Sequence, residues 1–295
     1  MILAETTNNK FLLKNQFFLG TMAYGLSTNL SLLLEHPFET IKTQWQKRNQ
    51  INSISKITSI IYQEKGLGGF YHGLTPNLLK TSIKNLFRWP SMIFLPNFYK
   101  KFIEKSTLYF DSLPKILTGI TISNVEVLVL TPLERLKVYL MTEKSNLSTF
   151  FNKHKGNTIT ELFKGLGPNY WKTNVGWFTF IVSDHYFKKM WKTSFDRKRL
   201  NYLDLLGISG LVGLATTLTT MPFDFLKTQA QLENSGDKVS MKKKSTFKSL
   251  WEYCSKNKFR TLYTGWNMRF SQTIINSIFA VILLEKLEHD FKMLH

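Results

Sequence analysis

His36-Pro37-Phe38-Glu39-Thr40-Ile41-Lys42-Thr43-Gln44 is the stretch that decides the fold, because it returns twice. Thr131-Pro132-Leu133-Glu134-Arg135-Leu136-Lys137 keeps the same frame, and Met221-Pro222-Phe223-Asp224-Phe225-Leu226-Lys227-Thr228-Gln229 keeps it again. Each copy reads Pro-x-acid-x-x-Lys and closes a long apolar run. The prolines stand 95 and then 90 residues apart. A period of that size identifies three copies of one supersecondary unit in a single body.

The runs that lead into the motifs are long enough to cross a bilayer. Residues 17–34 carry no charge, residues 205–223 carry none before Asp224, and residues 116–133 are interrupted only by Glu126. A hydrocarbon core of about 30 Å needs roughly 20 apolar residues of helix. Gly207, Gly210, Gly213 and Ala215 in the third run suit close helix–helix approach. Three weaker segments alternate with these, at 87–99, 175–187 and 270–284. They follow Lys80 and Lys84, Lys172, and Arg269 respectively, so each full helix carries one polar face, as expected where a helix lines water. The count is six helices, strong and weak in alternation.

Polar stretches at 47–65, 143–160 and 233–260 separate the members of each pair, and the run Lys242-Lys243-Lys244 reads as a solvated loop. Each stretch ends in an aromatic-x-Gly turn: Tyr71-His72-Gly73, Phe163-Lys164-Gly165 and Tyr263-Thr264-Gly265. The glycine-rich strings at 66–69 and 165–168 complete no phosphate-loop pattern.

Composition narrows the classes of function. A mean hydropathy of −0.14 is ordinary for a soluble protein, so the membrane signal lies in the distribution of charge and not in its total. The net charge of +19 suits anionic lipid headgroups at the loops and an anionic solute at the helices. It does not predict a nucleic-acid partner, since no basic helix or aromatic-interleaved strand concentrates it. Cys254 is the single cysteine, which excludes an internal disulfide and a cysteine zinc site. The histidines never pair at HxxxH or HExxH spacing and no GxSxG is present, so neither an enzyme site, a metal nor a cofactor is expected. The first ten residues show no cleavable signal or transit peptide.

That leaves the repeated motif. Pro37, Pro132 and Pro222 each remove a backbone donor and kink a helix. Acid and lysine three residues apart share one helix face. In a ring of three such helices each lysine can reach a neighbouring acid. The expected pairs are Lys42 with Glu134, Lys137 with Asp224 and Lys227 with Glu39. A closed ring of pairs would seal a pore, since charge at that depth is tolerated only when paired or wet.

On these residues the chain resembles the mitochondrial carrier family, from about residue 15 to residue 292. The resemblance implies an all-α membrane protein with six transmembrane helices in three pseudo-threefold repeats. These repeats, near 15–105, 112–195 and 201–292, would make residues 1–295 a single carrier domain with short matrix helices between the helices of each pair. It also implies the inner mitochondrial membrane, internal targeting, both termini in the intermembrane space, and cardiolipin with other inner-membrane lipids at Gly73, Gly165 and Gly265. In the family the motif pairs form a matrix gate, here Glu39, Lys42, Glu134, Lys137, Asp224 and Lys227. A glutamine two residues after the lysine braces each pair. Gln44 and Gln229 stand there, while the second repeat has Tyr139.

The resemblance places solute binding midway along the even helices, at Lys80, Lys84 and Arg88, at Lys172 and Thr173, and at Arg269 and Gln272. Lysine and arginine in a wet cavity pair naturally with carboxylate or phosphate. Lys80 and Arg269, near the helix starts, suit either the membrane interface or the solute, whereas Arg88 and Lys172 lie deeper and suit the solute. A basic residue followed by a small polar one on the fourth helix resembles carboxylate and keto-acid carriers. The family's second network, at the opposite end of the even helices, is eroded. Its acid positions are Ile93, His185 and Glu285 and its basic positions are Pro96, Lys188 and Glu288, with Asp184 able to substitute by a one-residue shift and Pro90 and Pro96 disturbing the second helix.

Two functions follow. One is a carrier of a small anionic metabolite, of the carboxylate, keto-acid or phosphate class, working by alternating access as a monomer. The other is a carrier-fold protein that no longer transports and serves as a structural subunit of a large inner-membrane complex.

Overall fold

The three motif prolines lie inside long helices, not at their ends. The computed structural model describes residues 10–48, 50, 51, 53–103, 113–143, 146–196, 200–232, 245–255 and 259–293; side chains are described for residues 25–280 within these ranges, Trp89 excepted, and for Ile282. Helix α1 (Lys10–Lys47) contains Pro37, α4 (Leu113–Thr142) contains Pro132 and α8 (Tyr202–Leu232) contains Pro222. Each runs about three turns past its proline, so the acid, the lysine and the residues beyond them stay on one helical frame. The even-numbered partners in the repeats are α3 (Leu74–Ile103), α7 (Leu166–Ser194) and α11 (Trp266–Met293). Helix α3 passes Pro90 and Pro96 without a break. The expected disturbance of that helix does not amount to an interruption: proline removes single hydrogen bonds, and the flanking turns hold the helix together.

The polar connections are themselves partly helical. The first holds α2 (Ile54–Lys65) and a 3-10 turn at Leu67–Tyr71, the second α5 (Leu147–Lys153) and α6 (Thr158–Leu162), the third α9 (Thr246–Ser255) and α10 (Phe259–Leu262). The expectations for the first nine residues, for Lys242–Lys244 and for the side chains of Glu285 and Glu288 lie outside the described residues. Cys254 is exposed and unbonded.

Packing closes the six long helices into a ring in chain order: α1 on α3, α3 on α4, α4 on α7, α7 on α8, α8 on α11, and α11 back on α1. Helices α1, α4 and α8 also meet one another, which brings the three motifs together. Among the described residues no strand occurs, so the chain is all-α.

The polarity of this body is inverted. On α4, Ser123, Glu126 and Thr131 are buried while Val125, Leu128 and Val129 face outward, Leu128 at 59% exposure. Leu26, Leu30, Leu86, Phe94, Phe98, Phe178 and Phe180 are likewise exposed on the other long helices. Water would penalise such a surface and lipid would not. Among the described residues α4 and α8 are apolar enough over 18 residues to qualify as spans by hydropathy alone.

Candidate functional site: a buried ring of ion pairs and the charged interior beside it

Helices α1, α4 and α8 converge on six charged side chains, and the pairing is complete. The Lys42 ammonium stands 2.7 Å from Asp224 Oδ2, Lys137 stands 2.5 Å from Glu39 Oε1, and Lys227 stands 2.6 Å from Glu134 Oε2. All six side chains are 15% exposed or less, so each charge depends on its partner. The ring runs in the opposite sense from the one expected: each lysine meets the acid of the preceding repeat, with Lys42 closing the circle onto the third. The reason is angular. Three residues of helix turn the chain by about 300°, so acid and lysine point to different neighbours. Which neighbour is which depends on the direction in which the three helices circle the axis, and the motif does not encode that direction.

Each acid spends its second oxygen on an even helix. Asp224 Oδ1 receives Lys172 at 2.6 Å, Glu134 Oε1 lies 3.7 Å from Lys80, and Glu39 Oε2 accepts a hydrogen bond from Asn77 Nδ2 at 3.0 Å. Lys80, Lys172 and Gln272 occupy the same place, seven residues after Gly73, Gly165 and Gly265, so Lys172 lies no deeper along its helix than Lys80, contrary to expectation. The third repeat has thus replaced the lysine by Gln272, which is buried and whose Nε2 finds no partner among the described residues, and has placed Arg269 one turn earlier. Arg269 Nη1 reaches Gln272 Oε1 at 3.4 Å.

The three turn glycines lock this ring from behind. Gly73, Gly165 and Gly265 adopt φ of 81°, 81° and 82°, in the left-handed region where a side chain is strained. Each also abuts the motif lysine of the next repeat. A Cβ on Gly73 would lie 2.9 Å from the Lys137 carbonyl, one on Gly165 3.2 Å from the Lys227 carbonyl, and one on Gly265 2.8 Å from Lys42 Cγ.

The expected glutamine braces go elsewhere. Gln44 Nε2 donates to the Met141 carbonyl and its oxygen accepts from Arg48, while Gln229 Nε2 donates to the Gln46 carbonyl at 2.7 Å. Both tie one odd helix to the backbone of the next and neither touches a lysine–acid pair. Their side chains point to the adjacent helix end, where unpaired C-terminal carbonyls offer better acceptors than carboxylates already engaged by lysine.

Several residues that sequence reasoning passed over complete the site. Asn77 Nδ2 lies 3.1 Å from His36 Nδ1 and His36 Nε2 lies 3.0 Å from the His72 carbonyl, an arrangement that suits a neutral imidazole with its proton on Nε2. The corresponding contact in the second repeat is Asn169 Nδ2 to Thr131 Oγ1 at 2.9 Å. Burial and the neighbouring Lys65 ammonium lower the pKa of the His72 ring itself. Arg135, inside the second motif, meets Glu161 of α6 at 3.6 Å, and Lys164 meets the same carboxylate at 3.1 Å. The sequence signal for both was an acid in a linker with no evident partner, which becomes informative only when the linker folds back.

Beyond the ring lies the interior proposed for solute. Arg88 is engaged there by Glu126 through two contacts, Nε to Oε1 at 2.5 Å and Nη2 to Oε2 at 2.8 Å, with Trp177 4.9 Å from its guanidinium carbon. Glu126 interrupted an apolar run, and this partnership is the reason. The Thr173 hydroxyl turns back to the Asn169 carbonyl at 2.8 Å, away from the interior. Lys84 has no carboxylate within 4 Å among the described residues and lies in the field of Arg88, Glu126, Glu35 and Arg269. At the opposite end, Asp184 pairs with Lys188 at 2.7 Å one turn along its own helix and joins no second helix among the described residues.

Comparison with known proteins fits this geometry. The mitochondrial carrier protein family matches residues 14–102 and 198–293. The chain is similar to the mitochondrial 2-oxodicarboxylate carrier of Mus musculus, at 25% identity over 71% of this chain and 73% of that protein. It is also similar to mitochondrial 2-oxodicarboxylate carrier 1 of Saccharomyces cerevisiae, at 25% over 73% and 74%, and to mitochondrial citrate transporter B of Aspergillus niger, at 26% over 74% and 77%. With both outer repeats matched and the motif ring assembled, the chain belongs to the mitochondrial carrier family, whose members are multi-pass transporters of the inner mitochondrial membrane and not enzymes.

Proposed function

We propose that this protein moves a small carboxylate anion across the inner membrane by alternating access. The observation that carries the reading is the charge balance of the interior. Eight cations (Lys42, Lys80, Lys84, Arg88, Lys137, Lys172, Lys227 and Arg269) face five acids (Glu35, Glu39, Glu126, Glu134 and Asp224), an excess of three positive charges among the described residues. Buried cations in such excess are costly, and a bound polyanion offsets it. Carboxylates are also what the names of the similar carriers specify.

Lys84 and Arg269 have no ion pair among the described residues and take the first solute carboxylate. Lys80 and Lys172 are then the natural second contacts, and each already holds a gate acid. A solute that draws them away leaves Glu134 and Asp224 with one lysine each and loosens the ring. Binding energy is thereby spent on the transition between the two states, as alternating access requires. Arg88 is held by Glu126 and serves to join α3 to α4.

The test is uptake of labelled 2-oxodicarboxylate or citrate into proteoliposomes preloaded with unlabelled anion. Exchange is expected, with Lys84→Ala and Arg269→Ala each lowering it by about tenfold, equivalent to about 1.4 kcal/mol of lost binding. Folded protein that exchanges no carboxylate and migrates within a large assembly would instead support the structural-subunit reading, which draws on the Asp184–Lys188 pair being confined to one helix.

A further inference from the structure

One acid in the interior has no role in the ring. Glu35 sits on α1 one turn before Glu39, facing inward, and its Oε1 is buried with no hydrogen-bond partner. No ammonium or guanidinium lies within 4 Å of it among the described residues, although the interior holds eight cations. The other repeats place Leu130 and Thr220 at this position, so the acid breaks the threefold pattern. The other four interior acids each hold an ion pair: Glu39 with Lys137, Glu126 with Arg88, Glu134 with Lys227 and Lys80, and Asp224 with Lys42 and Lys172. A buried carboxylate without a cationic partner is expensive, whereas a buried carboxylic acid is not.

The groups that face Glu35 define what its proton would do. The Ser31 hydroxyl is within hydrogen-bonding reach on its own helix, and Glu39 lies one turn on. Lys84 faces it from α3 and Arg269 from α11. The charged groups of α4 and α8 on this side are Glu126, paired with Arg88, and the ring members Glu134, Lys137, Asp224 and Lys227, paired as described above. Lys84 and Arg269 are the two cations assigned above to the solute. While Glu35 is ionised it competes with a solute carboxylate for both; once protonated it releases them.

We propose that Glu35 binds one proton together with the solute anion, so that uptake of each anion is linked to uptake of one proton from the same side of the membrane. This rests on the carboxylate-carrier reading. The proton enters from the compartment to which the cavity is open, resides on Glu35 while the anion occupies Lys84 and Arg269, and leaves to the other compartment when the anion does. By reciprocity, anything that favours protonation of Glu35 tightens anion binding.

Two measurements test it. In the first, purified protein is treated with dicyclohexylcarbodiimide, which modifies protonated carboxyls in apolar surroundings, and the modified peptide is identified by mass spectrometry. Labelling of Glu35 is expected at pH 6.5 and should fall at least about fivefold at pH 8.5, a drop within the hundredfold change in proton activity between them. Absence of label on Glu35, or label independent of pH, overturns the proposal. In the second, anion uptake into proteoliposomes is followed with and without a pH gradient, acidic outside. Wild-type uptake should accelerate at least about threefold with the gradient, and Glu35→Gln uptake should be indifferent to it. A wild-type carrier that ignores the gradient, or a Glu35→Gln carrier that still responds, overturns the coupling. If the wild type moves no carboxylate while Glu35 labels as expected, the carrier reading fails and the proton site stands.

Discussion

At the scale of single residues, Asp224 and Glu39 hold equivalent places in the ring yet carry different loads. Asp224 is clasped by two lysines, Lys42 and Lys172, whereas the second oxygen of Glu39 takes the neutral Asn77. Neutralising Asp224 strands two buried ammoniums. Asp224→Asn is therefore expected to cost roughly 3 kcal/mol or more and to lower the thermal unfolding temperature further than Glu39→Gln, which strands only one. Unfolding of the detergent-solubilised variants checks the order; equal losses would mean that Lys172 draws nothing from Asp224. The Arg88–Glu126 pair gives a second case. Arg88→Ala and Glu126→Ala should each destabilise, and the double variant should be little worse than either single one. Additive losses in the double-mutant cycle would show that the two do not depend on each other. The identity of the ring residues was legible in the sequence because a charge repeated in register is hard to explain otherwise. Asn77 and His36 were not legible, since a lone polar residue at a helix start carries no signal until its partner is beside it.

At the scale of elements, the junction between each short helix and the following even helix is set by one glycine. Gly265 combines a φ of 82° with Lys42 Cγ at 2.8 Å from where its Cβ would stand. Gly265→Ala is expected to cost about 1–2 kcal/mol from the backbone alone, and more from displacement of Lys42. Gly210, in the middle of α8 with nothing within 4 Å of where a methyl group would stand, is the control. There alanine should be neutral or mildly stabilising, because helix propensity favours it. Comparable loss of thermal stability in both variants would refute the turn-glycine argument. The six long helices were visible as alternating apolar and half-polar runs. Their extent was not: α1, α4 and α8 continue about three turns beyond proline, because the neighbouring helices they pack against supply what proline removes. Pro90 and Pro96 misled for the same reason.

At the scale of the whole molecule, the sense in which the ring closes is a statement about handedness. Pairing of Lys137 with Glu39 predicts that the reversal Glu39→Lys with Lys137→Glu recovers part of the stability lost in either single variant. The reversal Glu39→Lys with Lys227→Asp, which pairs residues across the ring in the opposite sense, should recover nothing. Equal recovery from both reversals would mean that these lysines exchange partners freely. The inverted polarity of the bundle belongs to this scale as well. Mean hydropathy is unremarkable because many polar side chains are buried while large apolar ones are exposed, and an average over the chain does not record that placement.

By itself the sequence determined the number of repeats, the helical class, the position of every ring charge and the cationic character of the interior. These follow from local chemistry repeated at a fixed period: apolar length, proline, and an acid and a lysine three residues apart. Only the tertiary structure decided which lysine meets which acid, that Lys80 and Lys172 serve the ring, that Glu126 holds Arg88, and that Glu35 has no ion pair among the described residues. Those are relations between helices far apart in the chain. They depend on the direction in which the bundle winds and on which oxygen of each carboxylate is already taken, and no spacing along one chain records either.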